Sequence, residues 1–555
     1  MAVLGAIMLA LVGLPLLVLV LSALKRSTAL PFDSVPLTLV NLREVFGGAI
    51  TYQLLARTCL YAAGTIVLGL CLAFLAAWLV ERTDVPGRNV IRTLMVLVMG
   101  MPGALVAFGW LLLASPRSGA INLWLRGALG LGSATGPFDI YSLMGMIFVT
   151  GLAVAPSIFL MISGLLRRLD ASLEEAAAAA GASWRTILGR IIAPLLSPGL
   201  LSVVLYLTVV LIQYFEVPLA IGLPGNVMVL SIRVYLLARP NPGLPEYGLA
   251  SAYGCLTLIV AAGLLAAYMR ATRRTEAYRT VTGKGFRPKR MRLGKWAGPA
   301  LVAISLYFAL ALVLPLGILL WASFLPSYQP PSPAAVRLLS LQSYATALRT
   351  AGVGQAAVNT VIVVLVTATA TIALSSLVAI VSLRARSRAG RSLEAIAFLP
   401  AAIPAVVIAL AVMLFSVRTP LYGTVWAIAL GQLIAFLAYG SRTMSAAMLQ
   451  LQLELEEAAV MSGAGWWKTQ WRVVLPLLLP AAANGWIWVA AHSMRDFTFP
   501  VMLATTGNVL MSSLIWQVWS RPDLSVASAM AIMLVLVLTG CLALARGTLL
   551  RLGEA

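Results

Sequence analysis

Long apolar stretches recur along the whole chain and are separated by shorter polar segments. A helix that crosses the hydrocarbon core of a bilayer needs about 20 mostly apolar residues, and roughly a dozen stretches reach that length. The pattern therefore predicts an all-α integral membrane protein. The predicted spans lie near 5–24, 58–80, 93–114, 142–166, 197–219 and 248–269 in the first half of the chain, and near 298–323, 355–382, 395–416, 423–447, 477–500 and 525–545 in the second.

The composition supports this interpretation. Of the 555 residues, 61% are hydrophobic and only 10% are charged, and the mean hydropathy is +0.97, whereas about a quarter of the residues of a soluble domain are charged. The first stretch lacks a basic start and an obvious cleavage site, so we expect a retained first helix rather than a signal peptide. The four cysteines lie in or beside apolar stretches without a CxxC or Cys/His cluster, so neither a disulfide framework nor zinc is indicated.

The 39 lysines and arginines give a net charge of +21. In a soluble protein this charge would suggest nucleic acid, but in a membrane protein it indicates which loops stay in the cytoplasm. With a cytoplasmic N-terminus, 26 basic residues fall on inner segments and 12 on outer ones, so we expect both termini in the cytoplasm. The strongest block, 270–295, has ten basic residues and one acid, Glu276. It is either a solvated loop that fixes topology or a site for anionic lipid headgroups.

The chain contains an internal repeat. Residues 169–200 align without gaps to 451–482 at an offset of 282, with 14 of 32 positions identical. Upstream, Thr58 matches Thr360 and Pro102 matches Pro404 at an offset of 302. Six spans per half is an even number, so both halves insert the same way and form a parallel repeat. We divide the chain into a first half, 1–269, a basic cytoplasmic linker, 270–296, and a second half, 297–555, and expect a pathway between the halves.

Charged residues inside spans are candidates for function. His492, Arg495 and Asp496 lie in the eleventh predicted span, where the spacing of four places His492 and Asp496 on one helix face. One interpretation is a polar lining of the translocation pathway. The other is an internal pair of Asp496 with Arg495 or His492 that stabilises packing. The repeat equivalents and their neighbours are also candidates: Gln213, Tyr214 and Glu216. His492 is the only histidine, which excludes a site built from several histidines.

Each half carries one copy of a charged loop, 169–194 and 451–476. The residues shared by the copies are Glu-Ala-Ala, then Gly after three residues and Pro after twelve more: Glu175, Ala176, Ala177, Gly181 and Pro194, and Glu457, Ala458, Ala459, Gly463 and Pro476. The alanines favour a helix, the glycines can adopt positive φ and end it, and a second helix should begin near Ser183 or Gly465. The prolines suit the start of the following span. A single copy could be an ordinary amphipathic connector between two spans, but the matched copies argue for a shared function.

This loop resembles the EAA motif of permeases in binding-protein-dependent ATP-binding-cassette (ABC) importers of the type I fold. The first copy departs from the usual pattern at Ala193, where Leu is typical, and the second at Val473, where Ile is typical. The resemblance covers most of each half. It implies that the loop is a coupling helix seated on an ATPase subunit, that Glu175 and Glu457 contact basic residues there, and that Gly181 and Gly463 set the bend.

The resemblance implies a transport subunit of the bacterial inner membrane rather than an enzyme. The chain has no GxxxxGK[ST] motif, so we expect two copies of a separate ATPase that bind ATP and Mg, and a periplasmic or lipid-anchored binding protein. We expect this chain itself to bind no cofactor, metal or nucleic acid. Fused two-half permeases of this length look most like iron(III) importers; thiamine, polyamine and phosphonate or phosphate-ester importers are alternatives. An ion-coupled secondary transporter is the rival class, but the segment 81–88 does not fit its usual loop motif.

Overall fold

The computed structural model describes residues 2–130, 132, 134–168, 176–177, 179–239, 243–275, 291–385, 388–521 and 523–553. In this part of the chain the regular secondary structure is helical, apart from an isolated bridge between Thr83 and Met291. Ten of the described helices are long and apolar enough to cross a membrane, and two bent helix pairs raise the number of possible spans to twelve. The predicted all-α membrane architecture is confirmed.

The helices of the first half begin with a long apolar span and end with another. They are α1 (Ala2–Ala23), α2 (Val40–Gly47), α3 (Ala49–Arg82), α4 (Arg88–Met99), α5 (Gly103–Ala114), α6 (Ala120–Leu129), α7 (Leu143–Arg168), α8 (Trp184–Ile187), α9 (Ala193–Ile212), α10 (Leu230–Ala238) and α11 (Tyr247–Thr275). A π-helical segment, Leu188–Ile192, joins α8 to α9, and another, Pro218–Gly222, follows α9.

The second half repeats this order. Its helices are α12 (Ala297–Phe308), α13 (Leu314–Ser323), α14 (Pro333–Val336), α15 (Gln342–Arg349), α16 (Val353–Ala385), α17 (Arg388–Phe398), α18 (Ala405–Ser416), α19 (Val425–Gln450), α20 (Glu454–Met461), α21 (Trp466–Thr469), α22 (Leu475–Arg495), α23 (Thr498–Leu503), α24 (Met511–Trp519) and α25 (Leu524–Gly553). A π-helical segment, Ala309–Val313, joins α12 to α13, and Gln470–Val474 joins α21 to α22.

The sequence offsets reappear as matched elements. Helices α2 and α5 correspond to α15 and α18 at the offset of 302, with identical lengths. Helices α7 and α8 correspond to α19 and α21 at the offset of 282, as do the π-helical segments that follow α8 and α21. The repeat detected from a few polar residues is therefore a repeat of the fold.

The third span of each half is not the straight helix that the apolar stretches 93–114 and 395–416 predict. Helices α4 and α5 meet at 93°, and the helical segment Ala389–Ala402 meets α18 at 104°. The bends lie at Pro102 and Pro404, whose backbones are extended, with ψ of 130° and 137°. Proline disfavours helical backbone in the residue before it, so each helix ends there and restarts in a new direction.

The fifth span of each half also starts and ends earlier in the sequence than predicted. The stretches 197–219 and 477–500 predict helices that start at the loop prolines, but the observed spans are Gly189–Ile212 and Trp466–Arg495. The second helix of each loop runs through a π-helical segment into the span without a break. A proline at the second position of α9 and of α22 lacks the N–H of a regular turn, and the wider π turn just before it accommodates this.

Each half contributes a helix that packs against the other half. Helix α1 packs against α18 of the second half, and α13 packs against α5 of the first. All residues of α5 are buried, as are ten of the twelve in α18. Phe108 on α5 stacks on Trp519 of α24 with ring centroids 4.1 Å apart. The second arms of the bent spans therefore form the buried centre of the protein.

The distribution of lysine and arginine predicts that both termini and the linker face the cytoplasm. We expect a green fluorescent protein fused after residue 555, or after residue 283, to be fluorescent, and an alkaline phosphatase fused at the same positions to be inactive. A phosphatase fused after residue 130 should be active, because this position precedes the fourth span. Active phosphatase at residues 283 and 555 would show that the protein has the opposite orientation.

Candidate functional site: the coupling loops and the polar centre

The second loop is a bent pair of helices. Helix α20 starts at Glu454 with three glutamates in its first turn, which suits the positive end of the helix dipole. It ends in a Schellman motif, in which Gly463 N donates to Val460 O at 2.9 Å and Ala464 N donates to Ala459 O at 3.0 Å. Gly463 has φ 81°, and Gly465 caps the start of α21 with φ −68°. The bend is thus built from local backbone chemistry.

The first loop has the same bend in its described part. Gly181 has φ 81°, and Ala182 N donates to Ala177 O at 3.0 Å, the equivalent of the bond from Ala464. Ser183 Oγ accepts from Thr186 N at 3.3 Å at the start of the next helix. The positive φ expected of both glycines is therefore present. Glu175 lies outside the described residues.

The loop surface is available to a partner. Helix α20 buries none of its residues, and Glu457, Ala458 and Gly463 are exposed. Apolar side chains are exposed beside them, including Met461 at 88% and Val460 at 58%. In the first loop Ala176, Gly181 and Pro194 are exposed, as is Pro476 in the second, while Ala177 and Ala459 are half-buried. The carboxylate can bind a basic side chain of a partner, and the small side chains beside it allow the partner's surface to approach closely.

The polar candidates of the fifth spans meet the broken ends of the third spans. Gln213 and Arg495 are repeat equivalents, and each crosses to the other half. The Gln213 side-chain oxygen accepts from Ala405 N, the first residue of α18, at 3.1 Å. The Arg495 guanidinium donates to Met99 O at the end of α4. Free backbone groups at helix ends require such partners, so these two side chains tie the halves together at the bends.

Glu216 caps a third helix end at these breaks, the start of α5. One of its carboxylate oxygens accepts from Ala104 N at 3.0 Å, near the start of α5, where a negative charge complements the helix dipole. A side chain at Gly103 would clash with the Tyr214 hydroxyl and with Glu216, so glycine permits this close approach. Arg495 interacts electrostatically with both Glu216 and Tyr214. Tyr214, Glu216 and Arg495 therefore form one cluster, which we call the polar centre.

Asp496 does not lie inside the span helix that carries His492, contrary to the prediction. Helix α22 ends at Arg495, and Asp496 has extended backbone with ψ 136°. Its carboxylate accepts from Gln432 Nε2 at 3.1 Å and from Phe499 N at 3.2 Å, and it interacts with Glu216 electrostatically. The alternative of an ion pair with Arg495 or His492 is also wrong, because the described residues contain neither pair.

His492 lies apart from the hydrogen bonds at the helix breaks. Its Nδ1 is 2.9 Å from Trp488 O, and its ring stacks on Trp488 with centroids 3.6 Å apart. Sequence reasoning missed Gln432, which is fully buried and also accepts from Ser493 Oγ at 2.6 Å. A glutamine in the middle of an apolar helix was the available signal. Asp496 is therefore positioned by a buried amide from α19.

Comparison with known proteins identifies the family of this chain. The sequence profile described as the binding-protein-dependent transport system inner membrane component matches twice, over residues 66–275 and 371–548. The chain belongs to this family. It is a multi-pass permease of an ABC importer with two fused halves of the type I permease fold, and both loops, both bent spans and the polar centre lie within the matched regions.

Two relatives and one solved structure illustrate the similarity. The ferric transport system permease protein FbpB of Actinobacillus pleuropneumoniae is 25% identical over 85% of this chain and 67% of its own length. The Fe(3+)-transport system permease protein FbpB 2 of Haemophilus influenzae is 22% identical over 87% of each chain. A bacterial ABC transporter involved in alginate import matches 47% of this chain and 97% of the solved chain, at 17% identity and a TM-score of 0.40.

The capping role of Glu216 predicts a difference between two substitutions in this permease. Glu216→Gln keeps an oxygen that can accept from Ala104 N, as Gln213 does at the equivalent helix start, so it should unfold near the wild-type temperature. Glu216→Leu removes the acceptor and should cost about 1–2 kcal/mol. Thermal unfolding in detergent measures both. Equal unfolding midpoints for the two variants would contradict the capping role.

Proposed function

We propose that this permease forms the pathway of an ATP-driven importer for ferric iron, with an ATPase subunit docked under each coupling loop. Iron is supported by the two ferric permeases above, because their similarity extends over both halves of the chain rather than over one shared segment. The docking is supported by the duplicated, exposed helix bend. A periplasmic or lipid-anchored binding protein would deliver the iron.

The coupling role belongs to the loop residues that the two copies share. Glu457 stands exposed in the first turn of α20, where it can pair with a basic side chain of the ATPase; Glu175 is its equivalent. Ala176, Ala177, Ala458 and Ala459 leave room for a closely approaching surface. Gly181 and Gly463 fix the bend, and Pro194 and Pro476 lie where each loop continues into its span.

The polar centre, together with Asp496, offers ligands that suit a hard cation. Tyr214, Glu216 and Asp496 carry oxygen atoms, and oxygen donors are preferred by hard cations. Two carboxylates against one arginine, Arg495, favour a positively charged solute over an anion. Among the alternatives, a polyamine or thiamine shares this positive charge, whereas a phosphonate does not. We therefore place iron first and a cationic organic solute second.

The substrate proposal is tested in proteoliposomes that contain the permease, its ATPase and its binding protein. We expect ATP-dependent accumulation of radioactive iron supplied as ferric ion on the binding protein. Liposomes with ADP in place of ATP are the control for leakage. ATP-dependent uptake of labelled spermidine or thiamine, without uptake of iron, would show that the substrate is that solute and not iron.

The coupling proposal predicts that substitution by aspartate impairs the permease at Gly463 but not at Gly465. Gly463→Asp, like Gly181→Asp, places a side chain at φ 81°, which costs about 1–2 kcal/mol, enough to change a docking equilibrium by about tenfold. We expect ATP hydrolysis to become uncoupled from uptake in both variants. Uptake and ATP hydrolysis are measured together in the proteoliposomes.

Gly465→Asp is the matched control. It adds the same charge two residues away, but at φ −68°, where Asp is a favourable helix N-cap. This variant should transport nearly as well as the wild type. Wild-type uptake by Gly463→Asp at normal abundance, or equal loss in Gly465→Asp, would contradict a role for the bend.

A further inference from the structure

The second coupling loop has an ionic contact with the span bundle in addition to its covalent connection. Arg384, in the last turn of α16, forms an ion pair with Glu456 in the first turn of α20. Their side chains are 22% and 16% exposed, so the pair is partly shielded from water. Such shielding strengthens an ion pair relative to one on an open surface.

This contact matters because α20 has little other attachment. None of its residues is buried, and its main packing partners are α21 and the π-helical segment that follows α21. Helix α16, in contrast, packs extensively against α19 and α22 of the second half. The Arg384–Glu456 pair therefore joins a helix on the surface to a candidate membrane span.

The first half has the same residue types at the equivalent positions, Arg82 and Glu174, of which Glu174 lies outside the described residues, and it has a further ionic brace nearby. Glu81 at the end of α3 bonds to Arg92 of α4 at 2.8 Å and to Arg167 of α7 at 2.9 Å, and its side chain is only 6% exposed. This carboxylate holds three helix ends together beside the first loop. The equivalents of these residues in the second half are Leu383, Glu394 and Leu449, which cannot form the same network.

A cavity occupies the corresponding position in the second half. It has a volume of about 460 Å³ and is lined by Leu383, Arg384, Met448, Leu449, Leu451 and Leu453. Two of its lining residues, Leu383 and Leu449, are the equivalents of the ion-paired Glu81 and Arg167. The ends of α16 and α19 therefore lack the equivalent of the Glu81 brace and have space beside them.

We propose that the Arg384–Glu456 ion pair is a positioning element that transmits movement of the second coupling loop to α16. This inference rests on the proposed function, because it assumes that an ATPase moves the loop. When the ATPase draws α20 toward itself, the ion pair carries the displacement to α16, and the adjacent cavity gives that span room to move.

The test compares substitutions that remove the charge with one that exchanges it. Glu456→Gln and Arg384→Gln should each lower the number of solute molecules imported per ATP hydrolysed by several-fold, and should raise ATP hydrolysis without binding protein relative to hydrolysis with it. The double exchange, Arg384→Glu with Glu456→Arg, should restore both ratios. Glu454→Gln, a change of an exposed glutamate in the same turn, is the matched control and should leave both unchanged.

Copurification of the ATPase separates the possible failures. If the wild-type chain retains no ATPase, the proposed function fails and this inference with it. If the ATPase is retained and Glu456→Gln couples as well as the wild type, only the inference is wrong. Arg384→Lys keeps the positive charge and should couple better than Arg384→Gln. Equal impairment of these two variants would show that the site acts through packing rather than through charge, and would also overturn the inference.

Discussion

The structure depends on the need of every buried backbone N–H and C=O for a hydrogen-bond partner. Where no water is present, an interrupted helix is tolerated only if other protein groups satisfy its free ends. Each half of this permease interrupts its third span at a proline, Pro102 or Pro404, and so creates free ends in the buried centre of the molecule. The side chains of Glu216, Gln213 and Arg495 each provide a partner for one backbone group at these ends.

This requirement links the fold to transport. Gln213 and Arg495 each extend from a fifth span to the bent span of the other half, so separating the halves would break both bonds. The fifth span is also continuous with the second helix of the coupling loop, through α8 and α9 or α21 and α22. A displacement of either loop therefore reaches the contact between the halves along one helix, without a flexible joint in between.

Much of this architecture could be predicted from the sequence, because span length and repeat spacing are local properties. The bends could not, since hydropathy measures how apolar a stretch is and not its direction, and α18 is apolar throughout. The error at Asp496 arose from assuming that helical periodicity continues past Arg495, where the helix ends. Gln432 was not predicted because it is uncharged and is not the repeat equivalent of a charged residue in a span. Arg384 and Glu456 are too far apart in sequence for any periodicity to connect them.

Fusion of the halves allows a distribution of charge that a symmetric dimer of one half could not have. The polar positions of the fifth spans are equivalent in the fold but differ in chemistry, since Gln213 corresponds to Arg495, Tyr214 to Asp496 and Glu216 to Thr498. Two identical halves would duplicate every charge and place like charges across the pseudo-twofold axis, where they repel. Here the single arginine interacts electrostatically with the single glutamate, and the aspartate is held by an uncharged amide from Gln432. The same freedom applies at the base of the protein, where one half keeps a buried carboxylate brace and the other has a cavity. Because both halves are on one chain, the two copies of each helix break and of each loop can be supported by different residues.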